Sequence, residues 1–172
     1  MPKKLIMING TMGSGKSACC RELSSLLDAD WLDGDWCWRP EPLCLADGKK
    51  ELALRNISLL LRYYLTRSAR ETVVFCWVMH RQEIIDSLME RLSGVELEPC
   101  FFTLLPCREE LIARLEKDVE AGAREPVIIG RALDHLPGYA AQNTVKIDNS
   151  HLTPRETAEK IMSLAAIRQQ PA

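Results

Sequence analysis

The sequence predicts an α/β fold in which a five-stranded parallel sheet carries helices on both faces. Three observations lead there. Short apolar runs alternate with amphipathic helical stretches from one end of the chain to the other, the pattern of a wound parallel sheet. The first such run, Lys4 to Asn9, leads through Gly10-Thr11-Met12-Gly13-Ser14-Gly15-Lys16-Ser17 into helical spacing, and that stretch has the form G-x-x-x-x-G-K-[ST]. With 172 residues the chain is long enough for one domain that buries roughly 70% of its unfolded surface.

Each element has its own justification. After the glycine-rich stretch, Leu23, Leu26 and Leu27 recur at helical spacing. Asp30 to Asp33 reads as a short second strand, and Gly34-Asp35 turns out of it. Trp36 to Lys50 has no clean period and is expected to be irregular. From Glu51 to Arg67, Leu54, Ile57, Leu61 and Tyr64 mark one face of an amphipathic helix, with Arg55 and Arg62 on the other. Thr72 to Val78 is β-branched and aromatic, as a buried central strand should be. Gln82 to Leu92 is a helix, Cys100 to Leu105 a fourth strand, and Arg108 to Val119 a helix with Leu111, Leu115 and Val119 on one side. Gly122 to Pro126 breaks that helix. Thr144 to Asp148 is a fifth strand, and Thr153-Pro154-Arg155-Glu156 is a capping box that opens the last helix, with Ala158, Ile161, Met162 and Ala165 as its buried stripe. Only Gln169 to Ala172 looks like a loose tail.

The glycine-rich stretch is the Walker A, or P-loop, pattern, and its chemistry is specific. Glycines let the backbone approach a polyphosphate, and amides at a helix N-terminus point at its oxygens. Lys16 then reaches the β- and γ-phosphates and the Ser17 hydroxyl ligates Mg²⁺. The expected ligands are therefore a nucleoside triphosphate, taken as ATP with a preference for GTP left open, and Mg²⁺. Ligands of open α/β sheets sit beyond the carboxyl ends of the strands, which singles out Asp33 and Asp35. One carboxylate can serve the metal while the other takes the proton of an attacking hydroxyl. The bland alternative is a polar turn.

With these residues in order, the chain resembles the P-loop small-molecule kinases of the nucleoside-monophosphate-kinase type, among them shikimate kinase, gluconate kinase, adenylylsulfate kinase and chloramphenicol phosphotransferase. The resemblance implies a three-layer P-loop NTPase fold with a short lid. It associates Asp33 with the Mg²⁺ shell and Asp35 with the acceptor hydroxyl, and it places substrate contacts at Arg55. It also implies a mobile lid over about residues 120 to 132, with Arg114, Arg124 and Arg131 as its arginines and Gly122 and Gly130 as hinges. The adenine pocket would lie near the loop from Asp148-Asn149-Ser150 to Pro154. The bland reading for Arg114 is an i, i+4 pair with Asp118 on a solvated face.

Three departures from that family bear on the substrate. Trp36-Cys37-Trp38-Arg39 stands where a polar acceptor site is usual, and Trp36 and Trp38 either stack on a planar substrate or cap the core. Val78-Met79-His80 lacks the glycine-rich turn of shikimate kinase, which argues against that acceptor. The same strand carries no acidic Walker B residue, which disfavours a motor ATPase and shifts the metal to Asp33. His80, His135 and His151 receive no role.

Composition excludes other classes. A net charge of −2 gives no basic surplus for nucleic acid, and no apolar run reaches the length of a membrane span. The seven cysteines (19, 20, 37, 44, 76, 100 and 107) lack paired spacing, so free thiols in a reducing cytoplasm are expected. The first strand starts too early to leave room for a signal peptide. The expected protein is one cytoplasmic domain that moves the γ-phosphoryl group of ATP to a hydroxyl or phosphate of a small molecule. Its rivals are a nucleoside or nucleotide kinase and a non-catalytic ATP-binding switch. Oligomeric state and the identity of the acceptor are left open.

Overall fold

A computed structural model describes residues 2–37 and 48–166. The chain runs β1 (Lys3–Asn9), α1 (Lys16–Leu27), β2 (Asp30–Asp33), a 3₁₀ turn (Gly34–Cys37), α2 (Gly48–Arg67), β3 (Thr72–Cys76), α3 (Gln82–Arg91), β4 (Leu97–Leu104), α4 (Arg108–Glu120), α5 (Val127–Ala141), β5 (Val145–Ile147) and α6 (Pro154–Leu164). The five strands form one parallel sheet in the order β2-β3-β1-β4-β5.

Central β1 explains the layering. Leu5 and Met7 point to one face and Ile6 and Ile8 to the other, and all four are at most 1% exposed. The first pair packs with Leu32, Val73 and Phe75 under α2 and α3. The second packs with Val74, Cys76, Phe102, Leu104 and Ile147 under α1 and α6. Each such side chain stabilises the fold by roughly 1.5–3 kcal/mol through burial. A third, smaller cluster joins Leu111 and Leu115 of α4 to Ala132 of α5, with Met12 of the glycine-rich loop packed against it.

Differences from the expected elements have physical causes. β4 begins three residues early, at Leu97, although Pro99 cannot donate to a ladder. Pro99 stands opposite Leu5 of β1, while β5 pairs only from Phe102 onward, so at Pro99 the other edge of β4 is open. β3 stops at Cys76 rather than Val78, and α2 begins at Gly48 rather than Glu51. The larger difference is α5, a fifteen-residue helix where no helix was expected. Gly130, Pro137 and Gly138 read as breakers, yet Ala132 and Tyr139 are fully buried and hold the helix in place. Gly130 is therefore helical, and the break after α4 covers only residues 121 to 126. The capping box forms as expected, with Thr153 accepting from the Glu156 amide and the Glu156 carboxylate accepting from the Thr153 amide.

Among the described residues the cysteines are free, and burial holds the Cys19 thiol up to about 12 and Cys20 well above its ordinary value. Such thiols are poor nucleophiles. No helix among the described residues is long and apolar enough to cross a membrane.

Candidate active site

All five strands run parallel, so their carboxyl ends meet at one edge of the sheet, and the loops there build the site. After β1 the chain turns through Gly13, φ 79°, a conformation that L side chains rarely adopt. A Cβ at Gly13 would also lie 2.7 Å from the Leu115 side chain, so α4 rests directly on the loop. Helix α1 then opens at Gly15 with no side-chain cap, which leaves its first amides free to meet an anion.

Several contacts fix the loop. The Thr11 hydroxyl donates to the Ala132 carbonyl at 3.1 Å. The Ser14 carbonyl accepts from Asn149 Nδ2 at 2.9 Å and from Arg114 Nη1 at 3.5 Å. Arg114 also donates to the carbonyls of Asn149 (3.0 Å) and Ser150 (3.3 Å) and pairs with Glu110 at 2.7 Å. This corrects the expected pairing with Asp118, whose partner is Arg124 at 2.9 Å. Arg114 thus braces three segments against one another while its guanidinium lines the cleft.

That cleft, of ≈ 410 Å³, brings together Met12, Lys16, Ser17, Asp35, Lys117 and Arg124, among others. Among the described residues the Lys16 ammonium makes one hydrogen bond, to the Thr11 carbonyl at 2.8 Å. Burial lowers its pKa, while the neighbouring Asp35 and Asp33 carboxylates oppose that shift. A crowded ammonium with one neutral partner is suited to receive anionic oxygens.

Across from it, buried Asp33 accepts from the Ser17 hydroxyl at 2.6 Å and from the Asp35 amide at 3.0 Å. The turn between the two carboxylates is held tightly, since a Cβ at Gly34 would lie 2.4 Å from the Trp77 ring. The Asp35 side chain stands at the exposed lip of the cleft. Crowding by the surrounding protein raises the pKa of its carboxyl and the Asp33 charge raises it further, against the opposing effects of Lys16, the Trp77 indole and Arg124. A carboxyl held above its ordinary value is a stronger proton acceptor than a free carboxylate.

The donor set can be tested against ATP and Mg²⁺. Free α1 amides, Lys16, Arg124 and Lys117 offer several positive groups to a polyphosphate. Ser17 and Asp33 offer two oxygens to a hard cation that keeps water and phosphate oxygens as its other ligands. No cluster of three or more metal-ligating side chains occurs among the described residues. Both ligands fit.

Other expected site residues lie elsewhere. Trp36 is 60% exposed and tilts against Trp31, with ring centroids 4.8 Å apart, and it does not line the cleft. Arg55 on α2, Arg131 on α5 and Pro154 at the start of α6 are exposed and also outside the cleft lining. Arg39 and Trp38 lie outside the described residues. Asn149 is buried beneath the loop, and its Oδ1 has no partner among the described residues. Lys117 was missed in the sequence, although it sits three residues after Arg114 on the same side of α4.

Solved structures align with nearly the whole chain. The Deinococcus radiodurans tunicamycin resistance protein matches with a TM-score of 0.77 at 19% identity, over 99% of each chain. A gluconokinase from Sinorhizobium meliloti matches at 0.66 and 22% identity, over 96% of this chain and 94% of its own. Mycobacterium tuberculosis APS kinase, in complex with AMPPNP and APS, matches at 0.64 and 17% identity, over 96% and 98%. The chain has the P-loop kinase fold. No protein-family model matches the sequence, and comparison with curated proteins finds no match. Within the P-loop kinase fold, the cleft described above lies where the glycine-rich loop and the carboxyl ends of β2 and β3 converge.

Proposed function

We propose that this chain is a cytoplasmic, single-domain, ATP-dependent kinase that transfers the γ-phosphoryl group to a hydroxyl or phosphate of a small molecule. The observation that carries the reading is the convergence of Lys16, Asp35 and Arg124 in one cleft beside the uncapped start of α1. The likeness to kinases, one of them holding AMPPNP together with APS, supports a nucleotide and a small acceptor as partners.

ATP supplies the phosphoryl group and Mg²⁺ neutralises its oxygens. The chain's own residues do the remaining work. The P-loop amides and Lys16 hold the phosphate chain, and Arg124 adds charge where the transition state spreads it. Ser17 and Asp33 would hold the metal. Asp35 positions the acceptor hydroxyl and takes its proton, a role suited to its raised pKa. The segment from 121 to 126, exposed throughout, would act as the lid that carries Arg124.

The test is ATP consumption by purified protein, alone and with fractions of a metabolite extract. A kinase is nearly silent alone and responds to one component. ATP binding with no response to any fraction would favour the switch reading instead.

A further inference from the structure

Helix α4 ends in a way that turns the chain back over the cleft. Gly122, at φ 70°, takes the left-handed conformation that closes many helices. Its amide donates to the Val119 carbonyl at 2.9 Å, and the Ala123 amide donates to the Asp118 carbonyl at 2.9 Å. These two bonds satisfy late carbonyls of α4 and reverse the chain, so Arg124 returns over the residue whose carbonyl holds the turn. There its Nε donates to Asp118 Oδ2 at 2.9 Å. Neither terminal nitrogen of Arg124 has a partner among the described residues. Asp118 itself stands on a fixed part of the helix. Leu115, one turn earlier, is fully buried against Gly13, and Arg114 is tied to the carbonyls of Asn149 and Ser150.

A carboxylate is an unexpected wall for a cleft that takes a polyphosphate, yet Asp118 lines it together with Lys117 and Arg124. Alone it would repel phosphate oxygens. Paired, it acts on the arginine. A guanidinium is a planar fork, so a carboxylate on Nε fixes its plane and leaves the terminal N–H groups for a second anion. The Arg124 charge also reaches Asp35, whose carboxyl it pulls down, in agreement with a guanidinium turned into the cleft. Arg124 and Asp118 are 36% and 41% exposed, so in open water the pair holds weakly and the segment can still move. A phosphate that seats against the free nitrogens and displaces water strengthens both contacts. Resting on the kinase reading, we propose that Asp118 is a positioning residue that holds Arg124 by its Nε, so that the terminal nitrogens meet the γ-phosphate oxygens. Asp118 touches no reactant itself.

The experiment compares the Kd of Mg²⁺·AMPPNP with that of Mg²⁺·ADP by calorimetry, which isolates the γ-phosphate and needs no acceptor. Removing a carboxylate from a phosphate cleft would by itself tighten both nucleotides about equally. If Asp118 positions Arg124, Asp118→Asn should instead cut the preference for AMPPNP over ADP by about threefold to tenfold, and Arg124→Ala should cut it by about tenfold or more. In the Arg124→Ala background, Asp118→Asn should change the preference no further, because the carboxylate acts only through the arginine. ATP consumption with the responding fraction of a metabolite extract should fall in the same pattern. An Asp118→Asn protein that tightens both nucleotides alike, or loses the preference equally with and without Arg124, would overturn the positioning role and leave the kinase reading standing. A wild type that consumes no ATP with any fraction would overturn the kinase reading and, with it, any role for Asp118 in transfer.

Discussion

Replacing Asp33 with Asn separates a metal ligand from a structural turn. The side chain is 6% exposed, and its two oxygens accept from the Ser17 hydroxyl and the Asp35 amide. Asparagine keeps an oxygen for the amide and can donate to the hydroxyl, so both contacts survive in neutral form. A hydrogen bond to a charged group is worth about 1.5–3 kcal/mol and a neutral one about 0.5–1.5, so the two bonds together lose about 2 kcal/mol. Removing the charge also relieves Asp35, whose carboxyl Asp33 pushes up, so the net loss should be about 1–2 kcal/mol. For a chain of this size that lowers Tm by roughly 2–8 °C. The effect on metal should be larger. Asp33 and Ser17 would hold Mg²⁺ together with the nucleotide, so losing the Asp33 charge should raise the Mg²⁺ concentration for half-maximal rate about tenfold or more. The assay pairs thermal melts with Mg²⁺ titrations of ATP consumption at saturating acceptor. A variant that melts lower but keeps the wild-type Mg²⁺ dependence would show that Asp33 only closes a turn.

Three further outcomes follow from the same geometry. Asp35→Asn should lower phosphoryl transfer by about a hundredfold while ATP affinity holds. Because its folded pKa is raised, the stability Asp35 contributes is present at low pH and lost as pH rises through that value, so the variant should melt at or above wild type near neutral pH and match it below about pH 4. Gly13→Ala should cost roughly 2–5 kcal/mol, about 1–2 from its positive φ and about 1–3 from displacing Leu115, and melts should show the loss together with weakened ATP binding. Hydrogen exchange with a non-hydrolysable ATP analogue and Mg²⁺ should slow at residues 121 to 126, whereas helical residues 127 to 132 should be protected from the start; equal exchange with and without ligand at 121 to 126 would remove the lid.

The legible part of this molecule was the local part. Glycine and lysine spacing between a strand and a helix is set within one loop, so the P-loop and the order of the elements could be read directly. The last helix was readable for the same reason, since Thr153 and Glu156 satisfy each other over a single turn. Helix α5 was hidden because Gly130, Pro137 and Gly138 speak for a loop, and only burial of Ala132 and Tyr139 outweighs them. Arg114 carried a visible charge, but its partners at Asn149 and Ser150 arrive from 35 and 36 residues away. Trp36 looked like an acceptor contact from its place beside Asp35, yet its ring turns toward Trp31. His80 and His135 stack face to face, a contact that needed the fold itself, since nothing local to either residue pairs it with the other.

Transfer of label is the measurement closest to the central claim. The protein is incubated with Mg²⁺, ATP labelled at its γ-phosphate and a metabolite extract, and the label is followed into small molecules. Wild type should move it onto one acceptor, and a folded Lys16→Ala protein should do so at least a hundredfold more slowly, because it lacks the ammonium that the P-loop aims at the phosphates. Label that stays on ATP or goes only to water, or a Lys16→Ala protein as fast as wild type, would contradict the account.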